Sequence, residues 1–308
     1  MGPVALQDLA LLIRSALLIA NPASRRGARA LPAVEHALRS AGIALDIAQT
    51  TGPGDAAALA AARAAGHDAV FVLGGDGTVT EVLGALAGRG IAVGILPAGT
   101  GNLLARAVGI PLAPRRAASV LLRGERRPLD LARLRDGTHF AVAAGIGIDA
   151  EMLRGTTPAL KRRLGVLAYV ISGARAAIAD AWLGRTFTAV VTVDGVTHEV
   201  EALSVLVANV GRLLDGWITA APGTSPDDGV ADVCVYAPRT LPQALRVAWR
   251  MLRGRFPDDG LTRFYRGRTV RLEARPRKAV EADGELLADT VLDLAVLPRA
   301  ATLLVPPK

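Results

Sequence analysis

The sequence predicts a chain of two domains: an α/β domain on a parallel sheet, followed by a mainly β domain that reads as a sandwich or barrel-like sheet. Three observations predict it. The chain's 308 residues exceed what one small core needs. Up to about residue 125, apolar strand-like runs alternate with amphipathic helical runs, the pattern of a parallel sheet covered on both faces. Near Arg126 the pattern changes to strands that alternate polar and apolar residues, as half-buried antiparallel strands do.

The first domain is expected over residues 15–128. SALLIANP (15–22) reads as a strand ending in a turn and RALPAVEHALRSAG (29–42) as a helix ended by Gly42. IALDIAQT (43–50) is a second strand and GDAAALAAARAAG (54–66) a second helix. DAVFVLGG (68–75), TVTEVLGALAG (78–88) and IAVGILPAG (91–99) continue as strand, helix, strand, and LLARAVGI and APRRAASVLLRG look helical. The second domain is expected over 129–298. Its strand candidates are RPLDLARLR, THFAVAAGIG, TFTAVVTVDG, VTHEVEALSVLVAN, GVADVCVYA, RTVRLEARP and AVEADGELL. VTVDGVTHEV reads as a hairpin turning at Asp-Gly. Two helical stretches interrupt, residues 158–182 and PQALRVAWRMLRG. The tail, 299–308, contains a short strand candidate and is expected to return to the first domain.

Composition narrows the partners without choosing one. The net charge of +8 favours anionic ligands: nucleotides, phosphates, lipid headgroups or nucleic acid. The single cysteine, Cys234, stands in an apolar run and reads as a buried thiol of a reducing compartment. No stretch reaches about 18 continuous apolar residues, so no transmembrane segment is expected. The opening, MGPVALQDLALLIRSALLIANP, superficially resembles a signal sequence, but it lacks a basic start and is broken by Asp8 and Arg14. It reads instead as a short helix before the first strand. The four histidines are scattered and Trp182, Trp217 and Trp249 are far apart, so neither set suggests a site.

The stretch AVFVLGGDGTVTEVLGAL stops an apolar strand at Gly74, Gly75, Asp76, Gly77 and Thr78 and then starts a helix. Such a junction aims backbone N–H groups and the positive end of the helix dipole at one point, where phosphate fits. Thr78 caps the helix in this reading, and Glu81 completes a capping box with it. Asp76 beside a phosphate calls for a bridging cation such as Mg²⁺ or for a donor group on the ligand; as the lesser reading it is a turn former. One strand later, Gly99, Thr100, Gly101 and Asn102 form a second glycine-rich turn, and Asn21 and Ser24 in NPASRRGARA form a weaker third. Strand C-termini in α/β sheets lie on the ligand side, so the turns could converge on one polyanion. Neither the P-loop GxxxxGK[ST] nor the dinucleotide GxGxxG is present.

GGDGT together with PAGTGN resembles the diacylglycerol kinase catalytic domain family, and its soluble bacterial lipid kinases above all, over roughly residues 15–300. GGDG alone is shared with NAD kinases. The resemblance implies a Rossmann-like three-layer nucleotide-binding domain and a β-sandwich-like domain with the active site in the cleft between them. It implies ATP and Mg²⁺, with Gly74 to Thr78, Gly99 to Asn102, Asn21 and Ser24 at the nucleotide. Arg25 stands where the family's first turn has glycine. Asp283 of VEADGELLAD matches the family's general base, and Glu285 its acidic neighbour, a possible second ligand of catalytic magnesium beside Asp76; Asp283-Gly284 reads equally as a hairpin turn. Asp228 and Asp232 of DDGVAD match a structural magnesium site and read equally as a surface turn. Gly145, Gly147 and Asp149 match a segment that shapes the cleft, and VANVGRLLDGWITAAPGT departs from the family's glycine pair at Asp215.

The expected reaction is transfer of the γ-phosphate of ATP to a hydroxyl of a diacylglycerol-like lipid, with Asp283 accepting the proton. The expected partner is a lipid at a membrane surface, met transiently from the cytoplasm, with arginines at 121–127, 160–165 and 261–278 adding positive surface. A homodimer is compatible with the sequence; nucleic-acid binding is not expected. The alternatives are an NAD kinase-like phosphotransferase and a non-catalytic nucleotide- or lipid-binding regulator.

Overall fold

The computed structural model describes residues 13–147, 186–213, 218–288 and 290–307. The short helix expected at the start, the helix expected over 158–182, the arginines at 160–165, Asp149, Asp215, Trp182 and Trp217 lie outside the described residues. The rest falls into two compact units. The first takes the chain up to Gly99, then Val108–Arg127 and the residues from Ala301 on. The second takes Thr100–Ala107 and Pro128–Ala300.

In the first unit, strands β1 (Ser15–Ala20), β2 (Ala44–Gln49), β3 (Ala69–Gly74) and β4 (Ala92–Pro97) pair in parallel in the order β2-β1-β3-β4. The C-terminal part of the last strand, Val291–Val305, joins in parallel beside β4, Thr302 opposite Ala92. The helices are α1 (Arg25–Ser40), α2 (Asp55–Arg63), α3 (Asp76–Ala85) and α5 (Pro114–Leu121), with α1 packed on α5 and α2 on α3. The chain steps from β1 to β2 in one direction and returns past β1 to β3. Right-handed crossovers in opposite directions set α1 and α2 on opposite faces. Every residue of β3 and β4 is buried, as strands covered on both faces must be. Phe71 of β3 lies against Gly94 of β4, where a Cβ would stand 2.6 Å from its ring.

Helix α1 begins at Arg25, ahead of the expected residue 29, because Ser24 caps it: the Ser24 hydroxyl accepts from Gly27 N at 3.2 Å. Helix α3 likewise begins early, at Asp76 with Gly75 as its N-cap, so Thr78 sits inside the helix and the expected capping box does not form. Glu81 instead accepts from Gly54 N, at the N-cap of α2.

In the second unit, helix α4 (Leu103–Ala107) precedes the strands. These are β5 (Glu125–Leu134, shared with the first unit), β6 (His139–Phe140), β7 (Ala143–Gly147), β8 (Phe187–Val193), β9 (Val196–Ala202), β10 (Ser204–Ala208), β11 (Arg212–Leu213), β12 (Ile218–Thr219) and β13 (Ala231–Tyr236). After helix α6 (Leu241–Arg253) come β14 (Thr262–Gly267), β15 (Thr269–Arg275), β16 (Val280–Ala282), β17 (Glu285–Leu286) and the strand Val291–Val305, here β18. One antiparallel set runs β18-β15-β8-β9, with β5 pairing β18 and β6; the other runs β14-β13-β10-β7-β16-β17. Their inner faces share one core, including Phe140, Ile146, Phe187, Val191, Val207, Val233, Leu272 and Leu294, which makes the unit a β-sandwich. Cys234 is fully buried, as expected.

Three expectations are corrected in this unit. VTHEVEALSVLVAN is two strands in different sheets, parting at Leu203, whose N–H goes to Tyr236 O. TRFYRG forms β14, which its two arginines concealed. The tail strand is the end of a 15-residue strand that starts at Val291. Pro298 read as a boundary, but the strand passes it with Arg299 at φ +48° and Arg299 N donating to Asp130.

Candidate active site

Three turns of the first unit meet at the C-terminal ends of β1, β3 and β4. Asn21, just after β1, donates its N–H to Leu73 O and its side-chain amide to Thr78 Oγ1 at 3.1 Å. Its Oδ1 accepts from Ala23 N, which closes the Asn-Pro turn. Ser24 Oγ donates to Ala98 O at 2.5 Å, and Ala98 N donates to Gly74 O at 2.8 Å. The backbones approach closely. A Cβ on Gly75 would lie 3.3 Å from Gly99 Cα, and one on Gly74 would lie 2.8 Å from Thr78 Cβ. A Cβ on Gly27 would lie 2.7 Å from Asn21 O. The first turn therefore takes its close approach two residues beyond Arg25, the position where the family has glycine.

The structure thus brings Asn21, Ser24, Gly74, Gly75, Thr78 and Gly99 together, with half-buried Asp76 and Gly77 in the first turn of α3. The α3 N-terminus adds its orphan N–H groups and positive dipole end. Thr100, Gly101 and Asn102 follow Gly99 in the chain but belong to the second unit. Asn102 is buried with φ +49°, its carbonyl accepts from Arg106 N, and Arg106 Nε donates to Gly101 O at 2.9 Å. The backbone at Asn102 turns through the left-handed region, which asparagine tolerates.

In the second unit Asp283 and Gly284 form the two-residue turn between β16 and β17, with φ of +46° and +85°. Positive φ at both positions is the hairpin geometry that Asp-Gly favours. β6 and β7 part at Ala141 and Val142, and the Asp283 carboxylate takes up the unpaired N–H groups there. Its Oδ2 accepts from Ala141 N at 2.8 Å, and its Oδ1 from Val142 N at 2.9 Å and Ala143 N at 3.2 Å. Asp283 is therefore held rigidly against the β7 end. Asp194-Gly195 between β8 and β9 shares the design: positive φ at both, with Asp194 accepting from Arg268 N and Thr269 N. This geometry by itself makes a hairpin brace. Glu285 is exposed at the start of β17.

Asp228 and Asp232 do come together, but a guanidinium joins them. Arg266 Nη2 meets Asp228 Oδ2 at 2.5 Å, and Arg266 Nε meets Asp232 Oδ1 at 2.9 Å. Arg266 is the cross-strand partner of Asp232 in the β13–β14 register. Burial raises the Asp232 carboxyl above its ordinary range; the nearby Thr224 hydroxyl and Arg266 act against this. Asp232 Oδ2 and Thr224 Oγ1 are adjacent, yet neither makes a hydrogen bond of good geometry among the described residues. Residues whose charge is met by a neighbouring arginine do not fit a structural magnesium ion. Among the described residues no three His, Cys, Asp or Glu side chains gather in a metal-holding group.

Sequence reasoning missed two buried polar residues that set the second unit's loops. Asp130, fully buried, accepts from Gly229 N and Arg299 N, both at 2.6 Å. Asn209 donates to Asp130 O and Ala141 O, both at 2.8 Å, and so braces the segment that Asp283 also binds. The signal for Asp130 was a lone carboxylate inside the apolar run PLDLARL.

The comparisons with known proteins agree with the motifs. A model of the diacylglycerol kinase catalytic domain matches residues 15–134, and a model of the YegS C-terminal NAD kinase beta sandwich-like domain matches 141–305. The chain is 30% identical over 297 residues to a diacylglycerol kinase of Mycobacterium tuberculosis, covering 94% of each chain. It is 30% identical over 279 residues to a diacylglycerol kinase of Bacillus subtilis, covering 89% of this chain and 90% of the other. A crystal structure of a diacylglycerol kinase from Bacillus anthracis superposes with a TM-score of 0.76 at 29% identity, over 96% of this chain and 98% of that one. The chain also spans 55% of the length of an uncharacterised Synechocystis protein, 30% identical over 246 residues.

Proposed function

Since the chain belongs to the diacylglycerol kinase catalytic domain family, we propose that it transfers the γ-phosphate of ATP to a hydroxyl of a diacylglycerol-like lipid. The observation that carries this reading is the hydrogen-bonded meeting of the three strand-end turns, with glycine at each close backbone approach. On this reading the first unit is a Rossmann-like three-layer nucleotide domain. Backbone N–H groups at Gly74–Thr78 and at the start of α3 receive phosphate oxygens. Gly99, Thr100, Gly101 and Asn102 extend the same cradle, and Asn21 and Ser24 hold it in shape. Asp76 and Glu285 would hold magnesium, which offsets phosphate charge and orients the transferred group when bound.

Asp283 is the proposed general base. Three backbone donors fix its direction, which supplies positioning, the larger part of this chemistry. A loose transition state tolerates a weak base, because little proton transfer is needed before the phosphoryl group has left its donor. The reading requires Asp283 of the second unit to reach the terminal phosphate held by the first. It also makes the protein a cytoplasmic visitor to the membrane surface that binds no nucleic acid.

The test is transfer of label from γ-labelled ATP in mixed micelles to a panel of diacylglycerol, monoacylglycerol, ceramide, sphingosine, phosphatidylglycerol, undecaprenol and NAD. Label on a lipid hydroxyl is the expected result, with diacylglycerol first. Label on NAD alone overturns the reading in favour of an NAD kinase. Nucleotide binding without transfer to any acceptor overturns it in favour of a regulator.

A further inference from the structure

Helix α6 has an apolar face wider than the body covers. The inward stripe is Ala244, Val247 and Met251, with Val247 buried and the helix packed beside β12. The second stripe is Leu245, Trp249 and Leu252, spaced by four and three residues and therefore on one face. These three side chains are 58%, 56% and 54% exposed. Among the described residues only six large apolar side chains are exposed, and half of them stand on this face. Scattered exposed leucines need no explanation, but a contiguous row containing tryptophan does.

Charge says what the row faces. Helix α6 contains no acidic residue. Arg246 and Arg253 lie on the adjoining face, and Arg239 and Arg255 flank the helix. The Arg253 guanidinium sits 4.5 Å from the centre of the Trp249 ring, over its face. Arg250, by contrast, is committed to the body: both its terminal nitrogens pair with Asp259, which pins the C-terminal end of the helix. Arginines elsewhere are also committed. Arg266 holds Asp228 and Asp232, Arg271 holds Glu273 and Asp293, and Arg275 pairs with Glu199, so three of the seven basic residues of the stretch 261–278 already have acidic partners.

We infer that α6 lies flat in the headgroup layer of an anionic lipid bilayer, with Leu245, Trp249 and Leu252 entering the acyl boundary and Arg246 and Arg253 at the phosphates. An apolar row with tryptophan beside an arginine-rich, acid-free face is the composition of an interfacial helix. Tryptophan suits that depth, since its ring is apolar and its N–H polar. A second copy of the chain is the poorer occupant: a two-fold contact would lay one arginine border against another. The inference deepens the lipid kinase reading and rests on it for its biological sense, but vesicle binding is measured without nucleotide or turnover, so the two fail separately.

The experiment uses the full chain with Trp182 and Trp217 replaced by phenylalanine, leaving Trp249 as the reporter. Vesicles are phosphatidylcholine with and without phosphatidylglycerol at about one part in three. Expected are cosedimentation that depends on the anionic lipid and weakens in salt, and quenching of Trp249 by brominated acyl chains. Leu245→Glu with Leu252→Glu should weaken binding at least tenfold with unchanged circular dichroism. Arg246→Gln with Arg253→Gln should weaken binding several-fold and remove the preference for anionic lipid. The inference is overturned if both double variants bind as the parent does. It is equally overturned if Trp249 is shielded from acrylamide without lipid, or if Leu245→Glu with Leu252→Glu dissociates a stable dimer.

Discussion

At the scale of single residues, Asp194 and Asp283 make a matched pair. Each is the first residue of an Asp-Gly hairpin turn and each accepts backbone N–H groups from a neighbouring segment. An amide in place of either carboxylate turns an N–H₂ group toward an N–H donor, which costs about 1–3 kcal/mol. Asp194→Asn and Asp283→Asn should therefore both lose stability in urea titrations. Only Asp283→Asn should also lose turnover, by roughly 10²–10⁴-fold. Equal activity in the two variants would remove Asp283 as the base. The Asp-Gly turns were legible in the sequence because positive φ at two positions has few solutions. The acceptor role was not, because Ala141 lies far from Asp283 along the chain. His139 supplies a pH prediction at the same scale. Burial, and then Arg133 across the strand pair, lower its folded pKa. The unfolded chain then binds the proton more readily, so stability is full above the ordinary value of about 6.5 and falls as pH drops through it. His139→Gln should flatten the difference between urea midpoints at mildly acid and neutral pH.

At the scale of elements, the strand pair β13–β14 carries its own cation. Arg266→Met would leave Asp228 and buried Asp232 facing each other. Because Arg266 is half exposed, the cost should be roughly 1–3 kcal/mol, below that of a fully buried pair. Magnesium without nucleotide should leave the parent melting temperature unchanged at this site and raise that of Arg266→Met. A large magnesium shift in the parent would contradict the arginine's role. In β3–β4 the limit is space: Gly94→Ala pushes a methyl into the Phe71 ring and should cost about 1–3 kcal/mol by thermal melting. The parallel alternation of the first unit was legible because strands buried on both faces are apolar throughout. β14 was not, since its row TRFYRG carries two charges, and the partners of Arg266, Asp228 and Asp232, are found only after pairing. The capping box failed for a related reason: Glu81 found the start of α2, which no local pattern reveals.

At the scale of the whole molecule, the two units are not consecutive pieces of chain. The sequence places one boundary after 128; the compact units part after Gly99, Ala107, Arg127 and Ala300. The first unit is completed by Leu303, Leu304 and Val305, all fully buried. Ending the chain at Ala300 would strip these side chains from β4, at about 1.5–3 kcal/mol for each large apolar group. Such a truncation should lose both the cooperative melt of the first unit and ATP binding, read by calorimetry and titration of nucleotide.

That late strand also bears on how the protein is made. When β4 leaves the ribosome its partner is still some 200 residues from synthesis, so the sheet's growing side stays an open edge while the sandwich forms. The first unit thus finishes last although it begins first. An edge left waiting this long is a template for wrong pairing, and slow translation or a crowded cell would make the nascent chain a client for chaperones.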